Sequence, residues 1–185
     1  MSGRLKAEGD ATKRMARMLV ALAALIGCAL AQAQGETTTV EENLFTLILP
    51  GKWHGGYDRK SDSWQYRSAD GKEAVTVGVL PRRGGGDHKS IKADASAQLE
   101  VQRKAEAKLG GPKLRLGKPE IREARSAVTA RYVGVDPGRN RRTFTRIIAN
   151  EVAVGSFHYE VSGLSAARFD ARAKLVLGKV GLIGE

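Results

Sequence analysis

The sequence predicts an α+β fold, a single antiparallel sheet with two main helices packed on it. Three observations point that way. Short β-branched or alternating segments separated by turn dipeptides recur through most of the chain. Only two stretches carry helical spacing over enough residues to form helices. The strand candidates also follow one another as hairpins, instead of alternating singly with helices as parallel βαβ units do. A composition of 42% hydrophobic and 28% charged residues supplies enough apolar material for such a core.

Residues 34–43 are polar and read as a tether. Leu44 to Leu49 (LFTLIL) reads as a strand closed by Pro50-Gly51, and Trp53-His54-Gly55-Gly56-Tyr57 reads as a glycine-bearing loop. Trp64 to Ser68 alternates with its aromatics on one face. Asp70-Gly71 is a hairpin signal because glycine accepts positive φ, and the return strand puts Val75, Val77 and Val79 on one side. Pro81 to Lys89, with Gly84-Gly85-Gly86 inside, is a loop. Ser90 can then cap a helix that runs to Leu109 and stops at Gly110-Gly111-Pro112. Ile91, Ala95 and Leu99 form its apolar stripe.

Four further strands are expected at Lys113 to Leu116, Ala127 to Val133, Thr143 to Ile148 and Val152 to Val161. Asp136-Pro137-Gly138 and Ala149-Asn150-Glu151 join the last three as a meander. Ser165 is placed to cap a final helix whose Phe169, Ala173, Val176 and Val180 share helical spacing. Residues 44–185 thus read as a single domain.

The start of the chain is of another kind. A basic stretch with Lys13, Arg14 and Arg17 precedes the apolar run 18–31, which ends in small residues and is too short to span a bilayer. That order is the layout of a bacterial secretory signal over residues 1–33, with Met15 an alternative start. Two exits compete. Signal peptidase could cut after Ala31 or Ala33, giving a periplasmic protein. Leu25-Ile26-Gly27-Cys28 instead has the form of a lipobox, in which Cys28 would be lipidated and the domain held at the outer membrane, facing the periplasm. Cys28 is the only cysteine, so no internal disulfide can form. Five cations and two anions lie within 1–33. From totals of 31 and 20, that leaves 26 against 18, so the remaining chain carries a net +8.

Leu49-Pro50-Gly51-Lys52-Trp53, then Trp64-Gln65-Tyr66-Arg67-Ser68-Ala69-Asp70-Gly71 with an alternating valine strand, a long helix, a meander and a last helix, resembles the PsbP/DcrB-like group over residues 40–183. The resemblance implies an α/β/α sandwich around an antiparallel sheet and a binding, chaperone or assembly role without catalysis. It transfers a fold more than a function.

Chemistry-bearing motifs are sparse. Gly84-Gly85-Gly86 lacks the lysine and serine of a phosphate loop, and there is no G-x-S-x-G elbow. Of the three histidines, His54 and His88 each lack a second ligand at regular spacing, and His158 reads as a strand residue facing solvent or a neighbour. Neither a metal nor a cofactor is expected. Trp53, His54 and Tyr57 are candidates for a recognition surface, although Trp53 also fits as a plug at one end of the sandwich.

The cations cluster at Arg82-Arg83, at Lys113 to Lys118, and most densely at Arg139-Asn140-Arg141-Arg142, on an expected hairpin tip. Arg139, Arg141 and Arg142 would steer an anionic partner. Nucleic acid does not suit an exported chain, and the cluster lacks interleaved aromatics for stacking bases. The reading is therefore an exported, non-catalytic binding domain of the bacterial envelope that recognises a protein or an anionic envelope component. The alternatives are an immunity or inhibitor protein against a secreted toxin, or a small hydrolase using His54 or His88 with Asp58, Asp62 or Asp87.

Overall fold

The computed structural model describes residues 36–82 and 86–184. Strands β3 (Trp53–Asp58), β4 (Ser63–Ser68) and β5 (Glu73–Pro81) form one end of a large sheet. Strands β6 (Arg115–Leu116), β7 (Glu120–Glu123), β8 (Ala127–Asp136), β9 (Arg141–Asn150) and β10 (Ala153–Ser162) complete it. The spatial order is β3-β4-β5-β10-β9-β8-β6, with β7 also paired to β8. Every pairing is antiparallel. A smaller sheet, in the order β1-β2-β11, joins β1 (Thr37–Glu41), β2 (Phe45–Pro50) and β11 (Val180–Leu182). Two helices, α1 (His88–Gly110) and α2 (Ala166–Leu177), accompany the sheets.

The period-two alternation of the strands divides the core between the two faces of the large sheet. On one face Ile91, Ala95 and Leu99 of α1 pack on Val128, Ala130, Tyr132, Ile147, Ala149 and Val154. On the other, Phe169, Ala173, Val176 and Leu177 of α2 and Phe45, Leu47 and Leu49 of β2 meet Val75, Val77, Phe157 and Tyr159. Helices lie on both faces of an antiparallel sheet, so the expected α+β sandwich is the observed one.

The expected hairpin at Asp70-Gly71 is present, with Tyr66 opposite Val75 and Trp64 opposite Val77. Asp70 Oδ1 accepts hydrogen bonds from the Ser68 hydroxyl (2.6 Å) and the Lys72 amide (3.1 Å), and Gly71 has φ 70°. The start of α1 lies slightly upstream of expectation. Asp87 is the N-cap, its carboxylate accepting from the Ser90 amide at 2.9 Å, while the Ser90 hydroxyl donates to the Asp87 carbonyl at 2.8 Å.

Four segments differ from expectation, the first being Glu120–Glu123, where no strand was expected and the chain pairs with β8 as β7. The polar stretch 34–43 was expected to be a tether, but Thr37–Glu41 is β1, paired residue for residue with β2. Backbone pairing with β2 holds the segment without hydrophobic side chains, and the Thr38 hydroxyl ties it to the next turn by donating to the Gly51 carbonyl (2.9 Å) and accepting from the Trp53 amide (3.0 Å). Trp53 to Tyr57 is not a loop but part of β3, paired with β4 from Trp53↔Ser68 to Asp58↔Ser63. Gly55 serves close approach here: a Cβ on it would lie 1.9 Å from the Gln65 carbonyl oxygen. Val180 does not continue the final helix. The helix ends at Gly178, and Val180 enters β11 beside Leu47. From Thr37 onward the chain forms one compact unit. Residues 1–33, with the signal features and Cys28, lie outside the described residues.

Candidate functional site

At the hairpin tip between β8 and β9, the three arginines have different neighbours. Asp136 is buried, and its Oδ1 accepts from the Gly138 and Arg139 amides at 3.0 and 3.2 Å, which closes the turn. Its Oδ2 lies 3.8 Å from Arg139 and 3.7 Å from Arg141. Arg141 also donates to Glu160 at 2.8 Å, with only 17% of its side chain exposed. Arg141 therefore turns toward the α1 face and holds adjacent strands together. Along β9 it shares a face with Thr143, whereas Arg142 shares the opposite face with Phe144 and Arg146. Arg139 remains exposed at the tip. Of the other clusters, Arg82 is also structural. Its guanidinium ties Asp94 of α1 (2.6 Å) to the Asn150 carbonyl (3.0 Å).

The aromatic candidates separate in the same way. Trp53 is 7% exposed, packs in the core and donates from Nε1 to the Pro50 carbonyl at 3.1 Å. It is the plug, out of reach of a partner. His54 is exposed on β3. Tyr57 is 49% exposed, lies 5.0 Å from the Trp64 ring and donates to Asp62, a bond that raises its pKa.

His158 sits on the α1 face of β10, in a cleft of 290 Å³ shared with Glu106, Thr143, Arg141 and Glu160. An imidazole thus converges with two carboxylates, which the sequence reading did not foresee. Gly134 leaves room for the arrangement, since a Cβ there would meet Thr143 Oγ1 at 2.3 Å and Glu106 Oε1 at 2.7 Å. The Thr143 hydroxyl donates to that Glu106 oxygen, and His158 Nδ1 is 2.8 Å from Thr145 Oγ1. Burial pushes the His158 pKa down, Glu106 and Glu160 push it up, Arg141 pushes it down, and the net direction is down. The hydroxyl beside the imidazole belongs to a fully buried threonine, so it cannot reach a substrate as a nucleophile. His88 lies across the surface, 3.1 Å from Glu123, and neither it nor His54 has a hydrogen bond to Asp58, Asp62 or Asp87 among the described residues. No group of three metal-ligating side chains occurs among the described residues.

A second concavity lies on the opposite face, where α2 stops short of covering β8. Two adjoining clefts of 520 and 280 Å³ share Arg131, Phe144, Ala173 and Lys174. Arg122, Arg146 and Lys118 join the walls, and Val133 and Leu177 join the floor. Arg131 holds Glu120 through two contacts of 3.0 and 2.6 Å, which lowers the pKa of that carboxyl. Arg146 donates to the Leu177 carbonyl at the end of α2, at 3.0 Å.

No family model matches the chain, and no curated protein matches it by sequence. Solved structures do match. The solution structure of cyanobacterial PsbP (CyanoP) from Synechocystis superposes with a TM-score of 0.58 at 13% identity, covering 80% of this chain and 93% of that one. The fold is PsbP-like. The Ran-binding protein Mog1p of Saccharomyces cerevisiae matches with a TM-score of 0.50 at 12% identity, covering 80% of this chain and 96% of that one. At these identities the likeness is one of fold.

The PsbP-like frame explains why sequence reasoning missed the basic cleft. Lys118 comes from the Lys113 to Lys118 cluster, but the other four come one at a time from β7, β8, β9 and α2, so they form no run. One signal was available. The alternation Arg142-Phe144-Arg146 in β9 puts two guanidiniums and a ring on one face.

Proposed function

We propose that this chain is an exported, non-catalytic binding domain of the bacterial cell envelope that recognises a protein or anionic envelope component. Export rests on the signal-like pattern of residues 1–33. The observation that carries the binding reading is the distribution of charge on the PsbP-like frame. Arg139 projects from the β8–β9 tip, and Lys118, Arg122 and Lys174 stand exposed around a concave face. Fixed cations on an ordered frame raise the local concentration of an anionic partner and speed its approach. The polar cluster at His158 contributes structure: its imidazole is bonded to a buried hydroxyl and its arginine to two carboxylates.

Two measurements test this. The domain lacking residues 1–33 is immobilised and challenged with envelope extract at low and high salt, beside a variant carrying Arg139→Glu and Arg142→Glu. Capture should weaken with salt, and association should slow severalfold in the variant with a flatter salt dependence. An unchanged rate refutes the role of the tip. The intact mass of the protein recovered from the envelope should correspond to a chain starting at Gln32, Gln34 or acylated Cys28, and a full-length mass refutes export.

A further inference from the structure

We propose that the cleft between α2 and strands β7 and β8 is a docking site for an acidic, extended peptide segment of a partner protein. In this arrangement an apolar side chain of the segment sits over Phe144 while flanking carboxylates meet Arg122 and Lys174. The inference rests on the reading of the chain as a binding domain and supplies a site and a partner chemistry for it.

The cleft follows from element lengths. β8 and β9 each run ten residues, whereas α2 has twelve residues at the shorter helical rise and lies over β2, β9 and β10. The face of β8 carrying Thr129, Arg131 and Val133 is consequently left half-exposed beside the helix. The recess comprises two adjoining volumes of 520 and 280 Å³ that share Arg131, Phe144, Ala173 and Lys174. Such a trough admits one extended chain. Its floor is apolar, formed by Phe144, Val133, Ala173 and Leu177.

Charge selects the occupant. Five cations line the trough, together with three acidic residues, Glu120, Glu123 and Asp170. Glu120 is already held by Arg131, and Glu123 turns to the other face of the sheet, 2.6 Å from Lys92 and 3.1 Å from His88 on α1. The remaining field is positive. Arg122 presents a planar fork suited to carboxylates, at the open wall of the recess. A membrane surface would call for cations on a flat or convex face, and single-stranded nucleic acid would call for exposed rings to stack on. Here the ring lies at the bottom of the trough, half-buried between Arg142 and Arg146 on its own strand.

The test uses the domain from residue 34 onward and a fluorescent ten-residue peptide of glutamates around one central leucine. Companion probes are the same peptide with lysines for glutamates, an all-glutamate peptide, phosphatidylglycerol vesicles and a single-stranded DNA oligomer. The leucine-bearing acidic peptide should bind, weaken with added salt and lose about fivefold on removal of the leucine. Arg122→Glu with Lys174→Glu should weaken it by about tenfold, since both charges face it across a screened but desolvating recess. Lys104→Glu, exposed on α1 across the sheet, should leave it unchanged, and Arg139→Glu at the tip should weaken it less than the cleft pair does. On the wild-type domain, amide chemical-shift changes should centre on Arg131, Val133 and Phe144, which keeps the test decisive should the double variant fail to fold.

Binding abolished by Arg139→Glu but not by the cleft pair moves the site to the tip; it overturns this proposal and leaves the binding reading standing. Binding to vesicles or DNA without binding to the peptide overturns the partner class. Salt-sensitive capture from envelope extract that survives Arg122→Glu with Lys174→Glu overturns the cleft alone, whereas no salt-sensitive capture by any form overturns the broader reading.

Discussion

A methyl group added at Gly155 should destabilise the domain, and the structure sets the scale. Gly155 lies in β10 facing the α2 side. A Cβ there would stand 2.9 Å from Leu182 Cδ2 and 2.9 Å from Phe157 Cε2, with Phe157 Cζ at 3.1 Å. Both neighbours belong to the core, at 3% and 0% exposure. Carbon contacts are optimal near 3.5–4.0 Å, so β11, the Phe157 ring or both must retreat by roughly 0.6–1 Å. Overpacking of this kind costs about 1–3 kcal/mol. Restricting the unfolded chain at a former glycine offsets about 0.4–1 kcal/mol. Gly155→Ala should therefore cost up to about 2.6 kcal/mol, with a mid-range value of about 1.3 kcal/mol, read as a lower urea midpoint with an unchanged slope.

A double-mutant cycle gives the mechanism. Leu182→Ala alone should cost about 2–5 kcal/mol as a cavity. Combined with Gly155→Ala it should cost less than the sum of the two, by about 1 kcal/mol, because the new methyl enters the space vacated. Strict additivity in the cycle would refute the packing of β11 against β10 described here.

Two further expectations concern pH. The folded state lowers the His158 pKa from its ordinary value of 6.5, so the unfolded chain binds the extra proton and stability falls as pH drops through and below 6.5. Thermal unfolding between pH 7.5 and 5 should show that loss, and His158→Gln should remove part of it; an equal loss in the variant would sink the assignment. At the alkaline end, burial raises the phenol of Tyr66 to about 12 and those of Tyr132 and Tyr159 higher, so stability is complete below the ordinary 10 and declines above it. Phenolate absorbance from these three should appear together with loss of the circular dichroism signal, and reversible ionisation of all four tyrosines in the folded state would contradict their burial.

Most of the frame was legible because its signals are local. Val75, Val77 and Val79 alternate, Asp70-Gly71 can only turn, and Ile91, Ala95 and Leu99 repeat every four residues. What escaped depended on partners distant in sequence. Thr37–Glu41 is polar and becomes a strand only because β2 offers it an edge. Gly55 and Gly56 have the composition of a loop, yet Gly55 is small so that the Gln65 carbonyl can approach. Val180 keeps helical spacing with Val176, but the turn at Gly178 hands it to β2. The candidate site was less legible. Arg139, Arg141 and Arg142 are adjacent in sequence and differ in environment, because strand alternation sends neighbours to opposite faces and Asp136 claims part of their charge. Trp53 could be read as contact or plug, and the Pro50 carbonyl beside it decides for the plug.

β2 sits between β1, the first strand, and β11, the last; Ile48 donates to the Lys179 carbonyl and Ile183 to the Leu44 carbonyl. Residues near the beginning of the domain thus wait for those near its end, and the second edge of β2 stays open until about 130 residues of intervening chain have emerged. A polypeptide threaded through a narrow pore from its amino end would stay unfinished, and so pliable, for nearly the whole passage. Closure would come only when the final ribbon arrives.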